Sequence, residues 1–288
     1  MLQNFILKKQ LIISGTGILL VLVLFFFGRT VADKKPVTPV KTEIAEKIFD
    51  IQSFITSEKS LLSPERSIIV SKLENGISRG DVAVQQIKAY ESLAAFWKDS
   101  LKSFELYAYY TAEASKLDNS EKKLTFAARL FSDNLRSEKD ETKLKWQTAQ
   151  GIDLFERAIK LNPANDDLRI GLGSTYIYGR GRSGNPQETM QGIQELLSVV
   201  RKDSNNMKAQ MVLGVGGLVS GQYAKAAERL KKVVAAEPRN AEAVAYLADA
   251  YAGSGNKTEA IKWYTVSKRL INDPHYSTEV DERIKTLK

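Results

Sequence analysis

The sequence predicts an all-α chain: a solenoid of helical hairpins, preceded by additional N-terminal helices and an N-terminal transmembrane helix. Three observations carry this. From about residue 42 apolar side chains recur at helical spacing, as in Ile44, Ile48, Ile51 and Ile55, which places them on one helix face; no long strand-like alternation follows. A 34-residue pattern repeats between Met207–Asn240 and Ala241–Pro274. The seven prolines fall outside helix interiors: Pro36 and Pro39 in a spacer, Pro64 and Pro186 just after the N-cap residues Ser63 and Asn185, and Pro163, Pro238 and Pro274 beyond the ends of apolar-periodic runs.

The N-terminal element comes first. Leu11 to Phe27 holds seventeen uncharged residues, enough with Gly28 to cross a bilayer, between Lys8 and Lys9 on one side and Arg29, Lys34 and Lys35 on the other. A cleaved signal peptide is the rival, with Thr30-Val31-Ala32 as its cleavage site, but the apolar stretch exceeds the usual signal core of ~7–15 residues. The expectation is therefore an uncleaved anchor over residues 1–28, in the inner (cytoplasmic) membrane and single-pass. Lysine and arginine counts slightly favour a cytoplasmic body, whereas a short basic tail before a first hydrophobic segment resembles a signal-anchor that exports the rest; the periplasmic side is preferred. Residues 29–41 read as a proline-stiffened spacer.

Composition limits the chemistry. Hydrophobic residues are 43% and charged residues 26% of 288, an ordinary globular balance. With no cysteine there is no disulfide, thiolate nucleophile, cysteine-zinc site, Fe–S cluster or acyl-cysteine anchor, and one histidine leaves no His-based metal site. No cofactor, metal ligand or catalytic residue is expected. The net charge of +8 sits mostly in residues 1–41, where six basic side chains face Asp33 alone. The mixed-charge remainder offers no basic stripe, so no nucleic-acid partner is expected.

The repeat region spans 121–274. In Met207–Asn240, Leu213-Gly214 occupy repeat positions 7 and 8, Gly221 position 15, Ala226 position 20 and Leu230 position 24; the next unit places Leu247-Ala248, Gly255, Ala260 and Tyr264 there. Small residues at 8 and 20 let two helices approach, large ones at 7 and 24 fill the seam, and glycine at 15 makes the turn. The pattern resembles the tetratricopeptide repeat (TPR), a helix-turn-helix unit of this period. Asp166–Asn206 fits with Leu172-Gly173, Tyr176, Gly192 and Leu196, its seven extra residues forming the loop Gly179–Asn185. Before it, Gly151, Phe155 and Ala158 match a second helix, with Lys122–Ser137 as its first. Residues 42–120 are read as an N-terminal helical region that contains a degenerate repeat at 81–117, marked by Leu93-Ala94-Ala95. Residues 275–288 complete the chain, with Val280, Ile284 and Leu287 on one face of a capping helix over Thr278–Lys288.

Several residues invite chemistry and receive a plainer reading. Ser120–Lys123 and Ser254–Lys257 fit the Ser-x-x-Lys pattern of a Ser/Lys hydrolase, but its companion motifs are missing and the second string falls on an exposed turn. Arg180 and Arg182 in the glycine-rich loop form a possible anion nest; an extended turn is the simpler account. His275 reads as a solvated loop residue. Tyr107, Tyr109 and Tyr110 read as core and groove wall, and Asp166-Asp167 as a helix start.

The resemblance implies that first helices line a concave groove through repeat positions 2, 5, 9, 12 and 13. Its partner-binding residues here would be Ile170, Ser174, Tyr178, Met211, Val215, Leu218 and Asp249, with Lys208 at the margin. The carboxylate clamp of chaperone-docking relatives is lost, since Ile170 and Met211 stand at position 5 and Ser174 and Val215 at position 9. A mostly apolar groove suits a helix or apolar peptide from a protein partner, unless the chain's own N-terminal helices cover it. The expected function is thus a membrane-anchored scaffold or adaptor without catalysis. A narrower alternative, by resemblance to membrane-tethered TPR proteins, is a chaperone of cytochrome c maturation.

Overall fold

The computed structural model describes residues 48–78, 82–181 and 185–288, with only the backbone of Arg180. The expected span over 11–28, the spacer 29–41, Ile44 and Arg182 lie outside these residues. Among the described residues no helix is long and apolar enough to cross a membrane. All of them belong to one unit of the chain, Lys47–Lys288.

Thirteen α-helices and no strand occur among the described residues. They are α1 (Ile51–Ser60), α2 (Pro64–Ser78), α3 (Ala83–Ser100), α4 (Phe104–Asp118), α5 (Glu121–Asn134), α6 (Glu141–Leu161), α7 (Asp166–Thr175), α8 (Pro186–Lys202), α9 (Met207–Val219), α10 (Tyr223–Ala236), α11 (Ala241–Gly253), α12 (Lys257–Ile271) and α13 (Pro274–Leu287). Asparagine starts each of α7 to α9 and α11: the side chains of Asn165, Asn185, Asn206 and Asn240 accept a backbone N–H from two or three residues on, satisfying a donor that the helix leaves open. Asp50 caps α1 in the same way.

Successive helices pair as hairpins, α3 with α4, α5 with α6, α7 with α8, α9 with α10 and α11 with α12, and α13 closes on α12. First helices of neighbouring hairpins also touch, α5 to α7, α7 to α9 and α9 to α11. The repeat chemistry is visible at the crossings. A Cβ on Gly173 would lie 2.9 Å from the Gly192 carbonyl oxygen, and one on Gly192 would lie 2.8 Å from that of Gly173, so α7 and α8 meet backbone to backbone. Gly221 and Gly255, at position 15, hold φ of +72° and +78°, where an L side chain is strained. One buried cluster joins Ala112, Phe131, Phe155 and Leu172 from four successive helices, and another joins Met211, Leu230, Val244 and Leu247.

Four sequence expectations need correction. Ile48 precedes α1 and is exposed, because Asp50 starts the helix two residues later. Pro274 opens α13, with Asp273 as N-cap, so the capping helix begins four residues early and His275 lies exposed in its first turn, not in a loop. The loop expected from Gly179 is helical up to Gly181: Tyr176–Gly181 continues α7 as a π-helix. Its glycines serve packing, since a Cβ on Gly179 would fall 2.1 Å from Thr148 Oγ1.

Of the N-terminal helices, α2 packs on α3, while the start of α1 lies on second helices. Phe49 packs on Trp146 of α6 (ring centroids 5.0 Å apart), Gln52 Nε2 donates to Tyr109 Oη of α4 at 3.4 Å, and Lys143 of α6 sits 5.2 Å from the Phe54 ring. Residues 49–54 thus rest on the second helices, α4 and α6.

Candidate functional site

In α7 and its π-helical extension and in α9, several of the concave positions are occupied from within. Ile170, Tyr178, Met211 and Val215 are each at least nine-tenths buried, so they do not form an open apolar wall. Ser174 and Leu218 are half-buried, Leu218 against the cluster that holds Met211 and Leu230. Ile170, Tyr178 and Val215 pack with Leu135, at the end of α5, and Leu144 of α6. The covering elements are therefore the α5–α6 turn, Leu144 of α6 and the π-helix, and none of residues 48–78 and 82–117 belongs to this cluster.

Arg136 completes this cover. Its guanidinium centre lies 4.1 Å from the Tyr178 ring centroid, Nη2 donates to Tyr178 Oη at 2.8 Å, and Nη1 donates to the Glu242 carboxylate in the first turn of α11. Tyr178 is also hydrogen-bonded to Tyr246, and its burial pushes the phenol well above its ordinary pKa. Nearby, Lys208 pairs with Asp167 across α9 and α7 at 3.5 Å.

Asp249 has a structural partner of its own. Its Oδ1 accepts from Tyr264 Oη at 2.6 Å and from Arg283 Nη1 at 2.9 Å, which ties α11 to α12 and α13. Burial raises the Asp249 pKa, and the two donors offset part of that rise. The residue belongs to the end of the stack rather than to a free groove.

The same repeat positions are open in α3. Setting Leu93-Ala94 on Leu213-Gly214 places Glu91, Ala95, Lys98 and Asp99 where Met211, Val215, Leu218 and Val219 stand in α9, and all four are exposed. They border a cleft of about 340 Å³ between α3 and α5, floored by Tyr107, Thr111, Ala114 and Ser115 of α4. Phe126 of α5 forms the far wall and is 53% exposed. Charges ring the mouth. Lys123 of α5 pairs with Glu91 at 2.8 Å and with Asp118 at 2.9 Å, and the Lys98 ammonium lies 5.2 Å from the Tyr107 ring centroid. Sequence reasoning reads Tyr107 as core and groove wall and the hairpin as a degenerate repeat, and so misses the cleft; the signal available is Leu93-Ala94 in the register of Leu213-Gly214.

The Ser120–Lys123 pair is not a nucleophile and base. Hydrogen bonds from Lys123 to Glu91 and Asp118 hold its pKa above the ordinary lysine value, the reverse of what a general base needs. Among the described residues no group of His, Asp and Glu side chains could hold a metal ion. Arg182 and the side chain of Arg180, the residues of the possible anion loop, lie outside the described residues.

Residues 218–278 match the family model described as tetratricopeptide repeat. No curated protein matches the chain. Among solved structures, the protein TTC0263 of Thermus thermophilus, described as a thermophilic TPR protein, is 15% identical, with 70% of this chain and 98% of that one covered at a TM-score of 0.49. YrrB, described as a TPR protein with an unusual peptide-binding site, is 16% identical over 71% and 94% at 0.47, and MamA is 18% identical over 64% and 91% at 0.46. The family match falls on α10 to α12, where the 34-residue frame, the small residues at the crossings and the turn glycines are most regular. This chain carries tetratricopeptide repeats.

Proposed function

We propose that this chain is a membrane-anchored interaction scaffold that binds a protein partner through the α3–α5 cleft. One observation carries the reading: the concave repeat positions 5 and 9 that Met211 and Val215 fill in α9 are open at Glu91 and Ala95 in α3, over a floor made by Tyr107, Thr111, Ala114 and Ser115. A cleft of about 340 Å³ is at the lower end of the range of roughly 300–1,000 Å³ for ligand pockets, and it suits one or two bulky apolar side chains of a bound segment. Burying such a side chain is worth roughly 1.5–3 kcal/mol, so after the cost of association a micromolar partner is the scale to look for. The anchor is residues 11–28, supported by seventeen uncharged residues between basic flanks, with the body on the exported side.

Photo-crosslinking in native membranes tests the site. A benzophenone side chain in place of Ala95 should give an adduct with a defined segment of one partner, whereas the same group at exposed Lys232 on α10 should not. Equal adducts from both positions would remove the assignment to the cleft. Carbonate washing should leave the full chain with the membrane fraction, and protease added to spheroplasts should reach the body. Release by carbonate would overturn the anchor, and protection with an intact inner membrane would overturn the exported side.

A further inference from the structure

We propose that Arg136 is a clasp that holds the first helices of the later hairpins closed over their concave positions. Three features support this. The residue reaches over two intervening hairpins to a carboxylate 106 positions away, so its contact constrains how the array winds rather than how one hairpin folds. Its anchorage is bipartite: the guanidinium stacks on the Tyr178 ring while its two terminal nitrogens serve different acceptors, Tyr178 Oη and Glu242. The ion pair itself is about half exposed on both sides, so water and salt reach it and it can open without unfolding a helix.

Closure has an evident structural origin. The π-helix Tyr176–Gly181 carries α7 beyond its usual end and sets Tyr178 between Arg136 and Tyr246. Leu135, fully buried beside Val215, brings the clasp residue to this place. While Arg136 holds Glu242, the positions of Ile170 and Val215 stay covered; when it lets go, α11 can swing away from the α5–α6 turn and expose them. That exposure would add partner surface rests on the reading of the concave face as a binding face. The clasp itself does not.

Distance measurement on the full chain decides the matter, and the lack of any native cysteine makes labelling direct. Spin labels at Lys139→Cys and Arg239→Cys, both exposed, report the gap that the clasp closes. Glu242→Gln should lengthen and broaden the distance distribution by several ångströms at unchanged helix content, and Arg136→Lys should do so in part, because an ammonium cannot stack and fork as a guanidinium does. The charge-swapped pair Arg136→Glu with Glu242→Arg should recover some of the closure. Raising salt on the labelled protein with Arg136 and Glu242 intact should shift it in the same direction, which keeps the test available if a variant folds poorly. An unchanged distribution in high salt and in Glu242→Gln would overturn the clasp. It would leave the α3–α5 cleft untouched, as a failed crosslink at Ala95 would leave the clasp.

Discussion

The hairpins α3–α4 and α9–α10 follow one plan, yet they treat equivalent positions in opposite ways. Met211 and Val215 are buried, while their counterparts Glu91 and Ala95 face water. Part of the difference lies in the residues, since charged Glu91, Lys98 and Asp99 stand where Met211, Leu218 and Val219 are apolar. Part lies in the neighbours. Beside α9 stand α7 and α11 in contact, with the α5–α6 turn laid across them. Between α3 and α5 a cleft remains. A repeat position therefore names a direction in which a side chain points, and stacking determines whether anything is there to meet it.

The contrast can be broken first at the core of each region. Trp97 is fully buried in the N-terminal cluster with Val70, Leu93 and Leu106. Trp97→Ala should cost about 3–5 kcal/mol, and hydrogen exchange should quicken across α3 and α4 while α11 to α13 keep their protection. Exchange that quickens equally throughout would mean that the two regions unfold as one, and the comparison would lose its energetic content.

A second test sets equivalent positions against each other. Leu218→Glu places a carboxylate against the Met211–Leu230 cluster and should cost about 1–3 kcal/mol, seen as a lower urea midpoint. The equally drastic Ala95→Arg, on an exposed position of α3, should stay within about 0.5 kcal/mol. If Leu218→Glu also proves neutral, α9 is as open as α3.

The smallest effect concerns pH. Burial raises the folded-state pKa of Asp249 above its unfolded value, so the native state holds that proton more tightly. The stability of the native sequence relative to Asp249→Asn should therefore rise as pH falls through the raised value, and level off below the ordinary carboxylate range. Urea midpoints of the two proteins across that window check the sign; a constant difference would show that Tyr264 and Arg283 fully offset the burial.

Much of the hairpin plan was legible because it depends on local chemistry. Gly221 and Gly255 mark turns that need positive φ, Asn185-Pro186 marks a helix start, and Leu213-Gly214 marks a close crossing. The filled concave face was not legible. It depends on Arg136, beyond the end of α5, meeting Glu242, and no spacing rule connects residues so far apart. The π-helix escaped for a different reason: Gly179 reads as a turn former, whereas its lack of a side chain lets the backbone press on Thr148. Pro274 misled similarly, since proline ends one helix as readily as it begins the next, and Asp273 in front of it decided the case.

The capping helix has a consequence for assembly. α13 lays Val280 into the pocket of Ala248, Ala260 and Tyr264, with Ile284 and Leu287 packed beside it, and turns Asp281, Glu282 and Lys285 outward. The face it covers is of the kind that each hairpin offers to the next, so it would accept a helix from any source. At the other end of the described residues Ile68, Ile69 and Val84 are exposed. Loss of α13 should therefore bare an apolar face that another copy can meet; a heterologous contact of that kind closes into a ring or runs on as a fibre according to its rotation. The fourteen-residue α13, by covering the face of the α11–α12 hairpin, should thus keep a self-similar molecule from continuing into its neighbours.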